Sequence, residues 1–299
     1  MTPCIKRFFS IKTASEKRLA VFLVLLGIGW CGLQAYQHWT PNLTVRSAHY
    51  QIASTTTQEE AETAAEKAEI LFQAYREILG TALDIEEPRE PLKMRLYRNR
   101  DEFKKSNVLV VGYAEAVYRN KCCHQYLDPT AANPWHWMIH EATHQLNHEV
   151  ARLNLKLWLD EGLACYFSTS FIDDEGVLHP GKPDFNTYPI WWLPDVDLSG
   201  DWEADVAMKN VIPLRNLIRD NPIDRRNRFN TYYLHWWSWT HFLFHAEDGK
   251  FRDGLMELIA AGGSAKAFEK HIGPIEDLEQ EWYRSYQQWA DSVRPNAES

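Results

Sequence analysis

Cysteine, glycine and proline are scarce in this 299-residue chain, and each shortage excludes something. Fourteen glycines and fourteen prolines are too few for a collagen-like or low-complexity chain. No internal repeat recurs, which excludes a solenoid. Basic charge is also short: 32 Lys and Arg face 41 Asp and Glu, a net charge of −9. An acidic chain of this kind offers no electrostatic footprint for nucleic acid, so no nucleic-acid partner is expected. Only five cysteines are present. Cys4 and Cys31 lie near the amino terminus, and Cys122, Cys123 and Cys165 allow one disulfide with one thiol left over in an oxidising compartment. Cys122 and Cys123 point to opposite faces if their stretch is a strand, so Cys165 can meet only one of them. What the chain does have is 45% hydrophobic content, enough to bury a real core.

Residues 1–18 break the acidic balance. Lys6, Arg7, Lys12, Lys17 and Arg18 stand there against Glu16, a local charge of +4 that leaves −13 for the remainder. The next 17 residues, Leu19 to Ala35, carry no charge. As a helix they reach about 25 Å, enough for a thin bilayer. Trp30, Tyr36 and Trp39 sit near the far end, where aromatic rings favour the interface. The expectation is a basic cytoplasmic tail over 1–18, a single-pass signal-anchor helix over 19–36 and a linker over 37–48. By the positive-inside rule, the body is then periplasmic or extracellular. A cleaved secretory signal competes with this reading, because the densest apolar part is only about 13 residues long. The one passable cleavage site, Leu33-Gln34-Ala35, lacks a small residue at its first position.

Along the body, residues 49–53 read as a short strand. Thr57 caps a helix with Glu59, Glu60 and Glu62 in its first turns. Its apolar set of Ala64, Ala68, Leu71, Phe72, Tyr75 and Ile78 recurs at three and four, and Gly80 ends it. Residues 92–97 alternate as a strand, and Asn99 or Asp101 begins a short helix. Residues 108–111, 114–118 and 124–127 are further strand candidates. Beyond 133 the pattern is helical, except for a long surface excursion over 172–205, rich in Asp, Pro, Gly and Trp. The predicted fold is α+β. A mixed α/β N-terminal lobe with a small sheet joins a mainly helical C-terminal lobe near residue 130, the domain spanning 49–290 with a tail at 291–299.

The informative segment is Trp135 to Phe167. Asn133 and Pro134 mark a helix start. Within that helix, His140-Glu141-Ala142-Thr143-His144 forms an H-E-x-x-H motif. Two histidines four apart stack on one helical face and can chelate a single zinc ion, while the adjacent Glu141 is placed to act on water rather than to ligate. A metzincin would continue with Gly and His three and six residues after the second His. Here those positions hold Asn147 and Val150. His148 is too far along a straight helix to join the same tetrahedral site. The better third ligand is Glu161, on a second helix over 156–170 that runs back antiparallel after a turn between 149 and 156. Gly162 lets another helix approach beside that ligand. Two His and one Glu leave one position open, the mark of a catalytic rather than a closed structural site.

H-E-x-x-H followed about 17 residues later by Trp158-Leu-x-Glu161-Gly-x-Ala-x-Tyr166-Phe167 resembles the gluzincin metallopeptidase signature. In particular the chain is similar to a bacterial, extracytoplasmic peptidase-MA-like family of unassigned substrate. Weaker likeness extends over roughly 48–290. It includes Val211–Leu214, the helix from Tyr233 through Trp237 and His241 to Leu243, and the closing helices at Ala267-Phe268 and Leu278–Trp282. The resemblance implies a zincin-like fold, with His140, His144 and Glu161 as Zn2+ ligands and Glu141 as general base. It makes Tyr233 the oxyanion donor, with His235 and Tyr232 as fallbacks. One departure is Cys165, which stands where some gluzincins place an acid that orients a ligand His. Asp160 is then the candidate for that role.

His124 and Tyr126 precede the metal helix on an expected edge strand that could pair with an extended substrate. The function so implied is a membrane-anchored zinc metallopeptidase acting on a peptide or protein, held to the membrane through its N-terminal helix. One alternative is a catalytically inactive, metal-containing binding module of the cell envelope. Trp191, Trp192, Trp202, Trp236, Trp237 and Trp239 would then stack on sugar or peptide, unless they are simply core. Another is a protease that processes its own linker.

Overall fold

The computed structural model describes residues 18–27, 39–108, 110, 112–173, 175–219 and 225–294. The basic cluster up to Lys17, Cys4, Cys31, Trp30, Tyr36 and the last five residues lie outside them.

Residues 18–27 are helical. Residues 28–36 of the span expected to cross a membrane lie outside the described residues. No helix among the described residues is long and apolar enough to cross a membrane. That finding overturns the single-pass membrane placement expected from a helix over 19–36.

The fold is α+β. A five-stranded sheet is built from β1 (Leu43–Arg46), β2 (Tyr50–Ser54), β3 (Leu92–Tyr97), β4 (Ala116–Arg119) and β5 (Cys122–Tyr126), in the order β1-β2-β3-β5-β4. β2, β3 and β5 run parallel, while β1 and β4 are antiparallel to their neighbours. β1 falls within the expected linker. Four residues are too few for their alternation to register in sequence, and the strand gains its order from pairing with β2.

Helix α1 (Gln58–Leu83) crosses from β2 to β3. Thr57 closes a reciprocal capping box with Glu60, and Glu59 and Glu60 favour the positive end of the dipole. Ala61, Ala64, Ala68, Leu71, Phe72 and Tyr75 are fully buried along one stripe. The helix passes through Gly80 and ends at Asp84, whose φ of 45° gives the left-handed cap. Gly80 costs the helix only about 1 kcal/mol, which the surrounding packing overrides.

Asn99 caps α2 (Arg100–Ser106). No strand forms at the described residues of 108–111. Helix α3 (His136–Gln145) packs on β4 and β5 and continues as a π-helical turn (Leu146–Val150). Asn133 Oδ1 accepts from Trp135 N (3.2 Å), so the chain turns there and the helix begins at residue 136. Helix α4 (Leu157–Ser168) then returns along α3.

The expected excursion over 172–205 is more ordered than its composition suggests. It contains most of the β6 (Ser170–Ile172) and β7 (Leu178–Pro183) hairpin, a 3-10 turn (Ile190–Asp195) and the start of α5 (Trp202–Ala207). Ile190 and Leu193 are fully buried, which ties the segment to the core. After α6 (Leu214–Leu217) comes the long, almost wholly buried α7 (Phe229–His245), followed by α8 (Arg252–Ala260), α9 (Ala265–His271) and α10 (Ile275–Val293). Gly162 lies where α4 meets α7. A Cβ there would sit 2.2 Å from Thr240 Oγ1 and 2.9 Å from the Trp236 carbonyl oxygen, so only glycine permits this approach.

Candidate metal centre

Four residues per helical turn and a turn of chain between two helices suffice to assemble the cluster. His140 and His144 project from one face of α3, and Glu161 faces them from α4. His140 Nε2 and His144 Nε2 are 3.3 Å apart. Glu161 Oε2 lies 3.3 Å from the first and 3.5 Å from the second. Ligand atoms of all three residues fall within 4.8 Å of one another.

The donor set fits a divalent cation. Glu161 Oε2 is buried and, despite its closeness to both rings, makes no hydrogen bond of acceptable geometry. A buried carboxylate oxygen is seldom left in that condition. Burial opposes ionisation of Glu161, but His140 and His144 outweigh it and hold the carboxyl down at about 2. Burial likewise opposes charging of His144, yet Asp160 and Glu161 raise its pKa well above the usual range. Carboxylates that favour a protonated imidazole equally favour a cation between them. Two imidazoles and a carboxylate suit a divalent first-row metal, zinc and iron among them.

A chain of side chains sets the orientation of His144. Its Nδ1–H donates to Asp160 Oδ2 (2.9 Å), which directs Nε2 at the cluster. Asn147 Nδ2 donates to Asp160 Oδ1 (2.8 Å), and Tyr75 donates to Asn147 Oδ1 (2.8 Å), so the chain ends in α1. Burial again works against the Asp160 carboxylate, but His144, His148 and Asn147 keep it well below the ordinary carboxylate range. His148 is not in the cluster. Its Nε2 stands 3.6 Å from Asp160 Oδ2, and its ring stacks on Tyr118. Asn147 and Tyr75, 72 residues apart, carried no mark in the sequence beyond a polar residue one turn after His144 and an aromatic on a buried stripe.

Glu141 occupies the next position round α3. Its Oε2 accepts from the Tyr118 backbone N–H (2.5 Å). Burial raises its pKa, with Glu161 adding to the rise and the imidazoles and Tyr118 N–H opposing it. Tyr118 belongs to β4, and β4, not β5, is the edge of the sheet. The expectation for His124 and Tyr126 therefore fails. They lie on an interior strand, and His124 hydrogen-bonds Tyr97 (2.9 Å). Strand order is a long-range property that local alternation does not encode.

Of the three donors proposed on α7, only Tyr233 reaches the cluster. Its ring centroid is 6.4 Å from that of His140, and it lines the same cavity. Burial, then Glu161, pushes its phenol well above the usual range, so it stays protonated and able to donate. His235 is a correction. Two residues further along a helix is about 200° around it, and there the ring packs between Trp282 and Tyr286. Its Nδ1–H donates to the Thr231 carbonyl (2.7 Å), and its Nε2 accepts from Ile212 N (3.3 Å). Tyr232 is buried against Trp236.

Cys122, Cys123 and Cys165 are free thiols. Cys123 lies under α3, where Sγ donates to the Glu141 carbonyl (3.3 Å). Trp236, Trp237 and Trp239 belong to the core, and Trp202 packs on Tyr283. Trp191 and Trp192, by contrast, are partly exposed and line a cavity of about 910 Å³ that also takes in His140, Glu141, Glu161 and Tyr233. No protein-family model matches the chain, and no curated protein matches its sequence.

Proposed function

We propose that the chain is a zinc-dependent metallopeptidase of the gluzincin type, with a zincin-like arrangement of its metal helices. The observation that carries the reading is the convergence of His140, His144 and the unpartnered Glu161 Oε2 beside a buried Glu141, in the wall of a cavity large enough for several residues of peptide. His140, His144 and Glu161 would hold the zinc. When bound there, the ion supplies Lewis acidity toward water and toward the carbonyl of the scissile bond.

The remaining chemistry falls to the chain itself. Net hydrolysis adds OH to the carbonyl carbon and H to the departing nitrogen as the C–N bond breaks. Glu141 takes the proton of the attacking water and delivers it to that nitrogen. Its raised affinity for protons suits both halves of the task. The Tyr118 N–H holds Glu141 Oε2 toward β4, along whose edge an extended peptide can add as a further strand. The protonated Tyr233 donates to the oxygen that gains charge at the carbonyl, an interaction whose loss commonly costs about 3 kcal/mol.

Glu141→Gln tests this reading. The variant should retain stoichiometric zinc while peptide hydrolysis falls by at least about 100-fold, the usual worth of a general base. Undiminished hydrolysis would remove Glu141 as the base, and peptide binding without hydrolysis by the zinc-loaded wild type would instead favour the non-catalytic binding module.

A further inference from the structure

The cavity has two unlike sides. One is the segment leading into β4, from Tyr113 to Ala116, whose Tyr113 ring meets Phe229 at 5.3 Å. The other is a wall of rings. Trp137 and Tyr188 stack with centroids 5.4 Å apart, Trp191 meets Tyr188 edge-on at 5.6 Å, and Tyr233 lies 5.3 Å from Tyr188. Phe229 closes the wall, 4.5 Å from Tyr233. Trp137 and Tyr233 each stand 6.4 Å from the His140 ring, so the aromatic wall starts directly beside the cluster.

The wall is fixed by its own hydrogen bonds. Trp191 N–H donates to the Thr187 carbonyl and Trp192 N–H to that of Pro189 (3.0 and 3.1 Å), while Ile190 and Leu193 anchor the turn from behind. Trp191 nonetheless leaves 42% of its surface exposed and Trp192 40%, and both line the cavity. Adjacent, solvent-open indoles on an anchored turn mark a place where an apolar group docks. Two of the charged residues lining the cavity pair with each other: Arg100 grips Glu115 through two hydrogen bonds (2.7 and 2.6 Å), and Tyr126 donates to the same carboxylate.

Resting on the metallopeptidase reading, we infer that the substrate is an extended peptide bearing an aromatic side chain next to the cleaved bond, and that Tyr188 and Trp191 determine this preference. The peptide backbone runs along β4, and the aromatic ring enters against Trp137, Tyr188 and Trp191. A sugar would also stack on such rings, but it has no use for a strand edge beside Glu141. The segment over 172–205 thus builds one face of the cleft.

The test uses alanine-rich peptides that differ at one guest position (Phe, Tyr, Trp, Ala, Glu or Lys), with the zinc-loaded full chain, cut sites being read by mass spectrometry. Cleavage should map to bonds flanking the aromatic guests, with kcat/KM roughly tenfold or more above the alanine peptide. In Tyr188→Ala and Trp191→Ala the aromatic-to-alanine ratio should collapse toward one while zinc content is unchanged. Binding of the same peptides to Glu141→Gln, followed by tryptophan fluorescence, separates the two claims. Aromatic-selective binding without turnover by wild type would sustain the aromatic preference set by Tyr188 and Trp191 while defeating the hydrolase and the placement beside a cleaved bond. Turnover that ignores the guest residue, or favours Glu or Lys, would overturn the inference and leave the hydrolase standing. Neither selective binding nor turnover would remove both.

Discussion

Helices α3 and α7 both carry histidines four residues apart, but His140 and His144 on α3 meet a shared carboxylate while His241 and His245 on α7 do not. On α3, His140 and His144 turn their Nε2 atoms toward each other and toward Glu161. On α7, His241 and His245 are also stacked, with ring centroids 4.6 Å apart. Yet His241 Nε2 is satisfied by the Gly181 carbonyl (2.9 Å), and His245 Nε2 pairs with the Tyr166 hydroxyl (2.9 Å). Burial pushes the pKa of His241 down to about 4, whereas carboxylates raise that of His144. Helical spacing brings imidazoles together in both places. The second helix decides the chemistry, because α4 presents Glu161 to one pair while β7 and α4 present neutral oxygens to the other.

The comparison can be broken most severely by deleting one histidine from each pair. His140→Ala should abolish zinc uptake, whereas His241→Ala should leave one zinc per chain as measured by elemental analysis. Stoichiometric zinc in the first variant would defeat the ligand assignment. A smaller effect should follow from cutting the chain that orients His144. Asn147→Ala leaves every ligand in place but removes the donor to Asp160, and zinc affinity in a competitive chelator titration should fall about tenfold. Unchanged affinity would show that packing alone aims the ring.

The smallest effect concerns a third kind of histidine, the buried and neutral His235. Burial pushes its pKa down to about 3, against about 6.5 in the unfolded chain. Above pH 6.5 neither state binds the proton and the residue contributes nothing to the pH dependence. As pH falls below that value only the unfolded chain takes it up, so stability is lost at up to about 1.4 kcal/mol per pH unit until the folded pKa is reached. Urea unfolding of His235→Gln should therefore show a flatter decline than wild type between about pH 6 and pH 4. Parallel declines would contradict the assignment.

What was legible in the sequence was local. Thr57 and Glu60 spell out a capping box, residues 92–97 alternate and form β3 with the expected bounds, and the His140 to Glu161 spacing anticipates the cluster. What was hidden depends on distant partners. β1 exists because β2 lies beside it, and α1 continues past Gly80 because its buried stripe outweighs a weak residue. The strand along the cleft is β4 because of an order set by the whole sheet. His235 stands as a fallback to Tyr233 in the sequence, and what removes it is α10, which claims the face bearing His235 with Trp282 and Tyr286. The aromatic wall joins Trp137 to Tyr188 and Trp191, which composition alone had assigned to the surface.

The central claim is that two imidazoles and one carboxylate share a single zinc ion. X-ray absorption at the zinc edge of the metal-loaded full chain tests it most directly. The account predicts only nitrogen and oxygen neighbours, with the multiple-scattering signature of two imidazoles. A sulfur neighbour from Cys123 or Cys165, or a spectrum without imidazole, would contradict it.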